Sequence, residues 1–139
     1  MTVTTYTEQV KTQGQNDCVN ITEVVQQAVE RAKIKHGLAT VFVTGSTAGV
    51  TTIEYEPGVV NDLKEALRRL FPEHVRYAHH DTGGDDNGFS HLRASFIGPS
   101  LSIPIVGGKL QLGTWQQIVL IDFDTHPRSR SYLIQILGE

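Results

Sequence analysis

Ser100-Leu-Ser-Ile-Pro-Ile-Val106, Gly107-Gly108, Lys109-Leu-Gln-Leu112: this stretch reads as two strands joined by a two-residue hairpin. Adjacent glycines supply the positive φ values that tight, right-twisted hairpin turns require. A link that short joins only antiparallel neighbours, because parallel strands need a long crossover. The sheet is therefore expected to be largely antiparallel.

Working outward, Lys109–Leu112 continues into Trp115–Phe123, with Gly113 marking a bulge or a close approach of another backbone. Ser131–Leu137 is the last strand. On the other side, residues 2–11 are rich in threonine, valine and tyrosine and read as a strand, followed by a turn over Thr12–Asp17. Leu38–Thr44 reads as a central strand, Gly45–Gly49 breaks it, and Val50–Tyr55 is extended again. Two amphipathic helices lie between these strands. The first starts with Asn20 as its cap and Glu23 in capping-box position, sets Val24, Val25, Ala28 and Ala32 on one face, and stops at Gly37. The second runs from Pro57 to Phe71, with Val59, Val60, Leu63, Leu67 and Leu70 at spacings of three and four, and ends at Pro72. A short helix over Ser90–Phe96 is capped by Ser90. The expected fold class is α+β: a single domain over residues 1–139, a mostly antiparallel sheet and two main amphipathic helices.

The composition is that of an ordinary globular chain, with 39% hydrophobic and 19% charged residues. A net charge of −3 with scattered basic residues gives no basic stripe for nucleic acid. No apolar run is long enough for a membrane span, and the N-terminus has no signal-peptide core. Cys18 is the one cysteine, so it makes no internal disulfide. A reducing cytoplasmic setting is expected, with Cys18 a small buried residue rather than a nucleophile.

The segment Tyr77–His91 stands apart. It holds His79, His80 and His91, aspartates at 81, 85 and 86, Asn87 and three glycines, and has neither helical nor strand periodicity. A segment that cannot build a core but is rich in cation-binding groups is where chemistry is expected. His79-x11-His91 matches no zinc-finger or HExxH spacing. A site of His79, His91, a carboxylate from Asp85 or Asp86, and water would still leave a position open for substrate. The alternative is a solvated loop with Asp, Asn and Gly in turn chemistry.

Other candidates carry their own alternatives. Ser46 and Thr47 lie in a small hydroxyl-rich loop that could cradle phosphate, or form a plain turn. Glu54 just beyond is a general base, a metal ligand or a surface carboxylate. Arg128 and Arg130, two apart before the last strand, could face one anionic substrate or sit in a solvated turn. Trp115 is either core or a platform for a flat ring.

Together the motifs Tyr77-x-His79, Asp85-x-Asn87, Ser90-His91-Leu-Arg-Ala-Ser, Ile97-Gly-Pro-Ser-Leu, Gly108-Lys-Leu-Gln-Leu-Gly113-Thr-Trp115-Gln116 and Arg128-Ser-Arg130 resemble the YjbQ-like family. Its members are described as secondary thiamine-phosphate synthases. The resemblance implies a homotrimer with sites at subunit boundaries and a divalent metal, zinc by its ligand type. It places His79 and His91 as ligands, with Asp85 and Asn87 beside them, and Glu54, Trp115 and Arg130 at matching positions. Two departures stand out: Gly45 and Phe89 occupy positions where relatives carry histidine. They shift the third-ligand expectation to Asp85, Glu54 or His126. The implied reaction joins a pyrimidine-methyl diphosphate to a thiazole phosphate and releases pyrophosphate. In it Glu54, Asp85 and Arg130 are catalytic, and Ser46, Thr47, Asn87, Trp115 and Arg128 bind a small phosphorylated metabolite. The rivals are metal-assisted hydrolysis of such a metabolite and a non-catalytic metal- or ligand-binding trimer.

Overall fold

A computed structural model describes residues 1–139. In chain order the elements are β1 (Thr2–Thr12), β2 (Asp17–Asn20), α1 (Thr22–Ala32), β3 (His36–Val43), β4 (Ala48–Glu54), α2 (Pro57–Leu70), α3 (His79–Thr82), α4 (Gly88–Ile97), β5 (Ser100–Val106), β6 (Lys109–Leu110), β7 (Gln116–Asp122) and β8 (Arg128–Gly138). The fold is α+β, as expected, but the strands divide into two antiparallel sheets: β1-β8-β3-β5-β6 and β2-β7-β4. No helix is long and apolar enough to cross a membrane.

Burial explains the division. Ala39, Val41 and Val43 of β3, Ile103 and Ile105 of β5, and Tyr132, Ile134 and Ile136 of β8 alternate inward. They pack against Val25, Ala28 and Val29 of α1 and against Val50, Ile118 and Leu120 of the smaller sheet. The other face of that sheet, with Val119, Ile121 and Phe123, is covered by Leu67 and Phe71 at the α2 end and by Phe89 and Ala94 of α4. β7 is thus buried on both faces, which is why Ile118–Ile121 reads as an unbroken apolar run rather than an alternating one.

Several local expectations are corrected. The long strand through Gly113 does not exist: the chain leaves one sheet after Leu110 and enters the other at Gln116. Gly113 opens the turn between them, its N–H donating to Gln116 Oε1 (3.0 Å) while Gln116 N–H donates to its carbonyl (3.0 Å). Asn20 ends β2 instead of capping α1. Its Oδ1 accepts from Thr22 N (3.0 Å), the first helical residue rather than the second or third that a cap bonds, and Ile21 holds the cap position with no side-chain bond. α1 ends at Lys33 in the left-handed region, not at Gly37. Gly37 lies in β3, where a Cβ would stand 1.9 Å from the Leu137 carbonyl oxygen of β8. Ser90 is buried inside α4 and donates to the Phe123 carbonyl (2.5 Å), while Asn87 holds the cap position. The hairpin is as expected, with Gly107 and Gly108 at φ 60° and 78°.

Candidate functional site

The Tyr77–His91 segment is shaped by contacts its glycines permit. Tyr77 packs where a Cβ on Gly88 would stand, 2.6 Å from the Tyr77 Cβ, and its hydroxyl donates to the Pro72 carbonyl (2.6 Å). The single turn α3 then lifts His79 against α4. Gly83 leaves room for that ring, since a Cβ there would sit 2.3 Å from His79 Cε1. The His79 and His91 ring centroids lie 4.7 Å apart, edge to face at 66°. His80 turns away: its Nδ1 faces the Tyr77 backbone and its Nε2 lies 3.2 Å from Asp86 Oδ1.

His79 Nε2 is buried without a hydrogen-bond partner, and so is Asn87 Oδ1. An orphaned buried polar atom costs about 1–3 kcal/mol, so each marks a place where something outside the chain can bind. Two imidazoles this close could hold one divalent cation, because ligand bonds of about 2.1 Å span the gap between adjoining rings. Within the chain, however, no three His, Cys, Asp or Glu side chains are placed to hold one ion. Asp85, Glu54 and His126, each expected as the third ligand, do not join the pair. Phe89 is buried in the core beneath the smaller sheet, with the Arg93 guanidinium 4.7 Å from its ring centroid.

Asp85, Asn87, His126 and Arg128 meet around an adjoining hollow of about 360 Å³, lined also by Asp86, Asp124 and Thr125 and by neither His79 nor His91. Glu54 and Trp115 are both exposed and lie at the opposite end of the small sheet. Glu54 pairs with Gln116, six residues along β7 from Asp122, about 20 Å away.

Arg130 differs most from expectation. Only 4% exposed, it spends Nε and Nη2 on the two oxygens of Asp122, both at 2.8 Å, and Nη2 also donates to Thr47 Oγ1 (2.6 Å). Thr12 donates to the same Asp122 carboxylate, as does Asp124 N–H (3.0 Å). Arg130 is thus the positive half of a buried ion pair joining β1, β7, β8 and the loop after β3, and Thr47 is buried with it. Ser46 stays exposed. Burial would raise the Asp122 pKa, but the bonds from Arg130, Thr12 and Asp124 outweigh it and hold the group below its ordinary value.

Asp124 links this network to the polar segment. It accepts from Thr125 N (2.8 Å), Arg128 Nη1 (2.7 Å), Thr47 Oγ1 (3.1 Å) and Asn87 Nδ2 (3.4 Å). Burial again acts upward, yet these donors bring its pKa down to about 2. A carboxyl depressed in the folded state stabilises above its unfolded value near 3.8 and loses that contribution as pH falls toward 2. Stability should drop by about 2 kcal/mol from this group alone over that window. Urea unfolding of wild type and Asp124→Asn between pH 5 and pH 2 checks it: the variant should show the shallower decline, and equal declines would remove the assignment.

Asp122 and Asp124 were missed as candidates. The signal was present as two period-two patterns, Asp-x-Asp closing one strand and Arg-x-Arg opening the next, which set both acids toward both bases.

The family profile described as "UPF0047 protein YjbQ-like" matches residues 6–139. The chain belongs to the YjbQ-like, or UPF0047, family. A UPF0047 protein of Methanocaldococcus jannaschii is 35% identical over 94% of this chain and 92% of its own length. The YjbQ-like UPF0047 protein YugU of Bacillus subtilis is 31% identical over 95% and 98%. Among solved structures, a hypothetical protein of Aeropyrum pernix superposes with a TM-score of 0.91 at 34% identity, covering 98% of this chain and 99% of that one. A protein of unknown function from Sulfolobus solfataricus gives 0.89 at 33% identity, covering 99% and 100%.

Proposed function

We propose that this YjbQ-like protein is a metal-dependent transferase that acts on a small phosphorylated metabolite, with thiamine-phosphate formation as the reaction to test first. One observation carries the reading: the His79 ring, whose Nε2 is buried and unpartnered, packs edge to face against the His91 ring. A divalent ion held there, zinc by ligand type, would supply Lewis acidity to a departing diphosphate. The rest of its coordination falls to solvent, to substrate or to a second copy of the chain.

The protein's own residues divide the remaining work. Arg128, 43% exposed at its side chain and fixed by Asp124, is the guanidinium free to meet phosphate oxygens. The exposed Ser46 hydroxyl is a second donor. Arg130 positions these groups through Asp122 and Thr47 and does not touch substrate itself. Asn87, tied to Asp124 by its amide nitrogen, turns its free oxygen to the ligand. No proton shuttle is required, which suits a site without a nucleophile–base pair.

Assembly as a homotrimer belongs to the same proposal. The outer face of the five-stranded sheet carries no helix, and its rows Val3–Leu137–Leu38–Pro104 and Thr7–Leu133–Phe42–Ser100 hold no charge. Val3 and Phe42 are 57% and 41% exposed, an apolar surface of the kind oligomers cover. Light scattering should give three chains per particle, and a monomer would end that part of the reading. A cytoplasmic location accords with a lone buried thiol, Cys18, whose pKa burial pushes up to about 11.

The test is purified protein with a pyrimidine-methyl diphosphate and a thiazole phosphate, following thiamine phosphate, pyrophosphate and free phosphate, with bound metal measured by elemental analysis. Joining is expected in wild type and a loss of at least about 100-fold in His91→Ala. Joining that survives His91→Ala removes the role of that histidine. Free phosphate without joining identifies a hydrolase, and bound metal with no turnover identifies a binding protein.

A further inference from the structure

Away from the Arg130–Asp122 link, backbone hydrogen bonds join the two sheets where β4 and β5 begin, and the strands part beyond. Val50 N donates to the Gly98 carbonyl (3.0 Å) and Val43 N to the Pro99 carbonyl (2.9 Å), which brings the starts of β4 and β5 side by side. β4 is the outer strand of its sheet. β5 pairs with β3 throughout, but with β6 only at Ile105 and Val106. Its first residues therefore have an open edge too. Antiparallel alternation fixes which groups are free. The Phe123 N–H bond to Thr47 O sets Gly49, Thr51 and Ile53 toward β7, and Val50 and Thr52 away from it. In the same way the bond to Pro99 sets Leu101 and Ile103 toward β3, and Ser100 and Ser102 away from it.

Between these edges lies a cleft of about 350 Å³. Val50, Ile97, Leu101 and Leu112 give it apolar walls, and Thr52 and Gln111 give it hydroxyl and amide groups. None of its lining residues is ionisable. That is unusual in a chain with 27 Asp, Glu, Lys and Arg residues (12 + 15) and six histidines. At the rim, Gln116 donates from Nε2 to Thr52 Oγ1 (3.1 Å) and accepts at Oε1 from Gly113 N (3.0 Å). That clamp fixes the turn carrying Trp115, the single tryptophan, 72% exposed.

We infer that this cleft is a binding site for a small, flat, uncharged heterocycle bearing an amide-like edge. Its size lies at the lower end of small-molecule sites, and its mix of apolar wall and a few polar groups is typical of them. Unpaired strand N–H and C=O groups recognise an amide or ring-lactam edge as they would a neighbouring strand. A cleft with no counter-charge disfavours an ion, whose desolvation would go uncompensated. Trp115 does not line the cleft but precedes the lining Gln116 by one residue, so its exposed indole lies on the clamped turn beside the site. None of these residues belongs to the histidine pair, so the cleft does not rest on the metal reading, although Ser100 and Pro104 also end the rows of the proposed trimer face. His91 sits six residues before Ile97 on α4, about 9 Å along the helix and on another face.

Trp115 is a built-in reporter. Titrating the full-length protein with nicotinamide and, separately, with its near-isosteric anion nicotinate should give a saturable tryptophan fluorescence change for the first. Binding of the second should be at least about tenfold weaker. Thr52→Glu, which sets a charge on the cleft wall, should weaken nicotinamide by at least about tenfold. Because Thr52 is half-buried, Gln111→Glu at the exposed rim serves as the second variant, with a severalfold loss expected and circular dichroism unchanged. Equal binding of nicotinate, unchanged binding in Gln111→Glu, or no saturable response to nicotinamide or uracil up to their solubility limits would each overturn the assignment. So would an uncharged extended tripeptide that binds where both rings do not, since the edges would then be taking a strand.

Discussion

Asp122→Ala should cost about 3–5 kcal/mol of folding stability, the largest effect of any single carboxylate in this chain. The reason lies in what it strands. Arg130 is 4% exposed, so removing Asp122 leaves a guanidinium buried with one neutral partner, Thr47. The nearest other carboxylate oxygen, Asp124 Oδ2, is 3.8 Å from Nη2 and already accepts from Arg128 and Thr47, while Thr125 N occupies Oδ1. Asp124 N–H loses its acceptor as well, and Thr12 Oγ1 is left with the Arg128 carbonyl alone (3.2 Å); both residues are buried. Asp122→Asn keeps the shape and some of these bonds, so it should fall between wild type and alanine. In a thermal melt the alanine variant should unfold roughly 10–20 °C lower. An unchanged midpoint would mean that Asp124 swings over to neutralise Arg130. Replacing Asp122 and Arg130 together by apolar residues should recover much of the loss, because most of the penalty belongs to the unpaired charge and little to the pair itself.

This ion pair also shows where reading the chain alone stops. Arg130 was legible as a positive charge two residues from Arg128, just before the last strand, which in fact begins at Arg128. What neutralises it was not: Thr12, Thr47 and Asp122 converge only once β1, β7 and β8 are placed. The same contrast runs through the fold. α2 was readable almost to the residue because Pro57, the apolar spacing and Pro72 are all local signals. The Gly107-Gly108 hairpin was readable because its turn chemistry is local too. β2 was invisible because four residues carry no periodicity, and it is a strand only through its pairing with β7. Gly37 looked like a helix stop, yet its missing side chain serves a β8 backbone a hundred residues away. The polar segment held the opposite surprise. His79 and His91 were marked because their surroundings could not be core, and they do adjoin. Asp85, Glu54 and His126 carry suitable ligand atoms, but the topology sends them elsewhere.

Metal should act on this protein first as a stabiliser. His79 Nε2 is a buried acceptor or donor with nothing to bond, a free-energy cost the folded chain bears without compensation. An ion that binds the folded pair and not the unfolded chain lowers the folded state by RT ln(1 + [L]/Kd), about 2.7 kcal/mol at a hundredfold excess over Kd. Zinc titrated into metal-stripped protein should therefore raise the urea midpoint, saturating with concentration. The gain should vanish in His91→Ala and in His79→Ala, whereas Asp85→Ala, lining the adjoining hollow, should keep it. The variants also separate structure from binding without any assay of turnover. His79→Leu removes the orphaned nitrogen, so in the absence of metal it should be no less stable than wild type, while a ring needed only for packing would cost stability on removal. If His79→Leu is destabilised and zinc moves neither protein, the two imidazoles are neighbours through packing alone, and the proposed metal role fails with them.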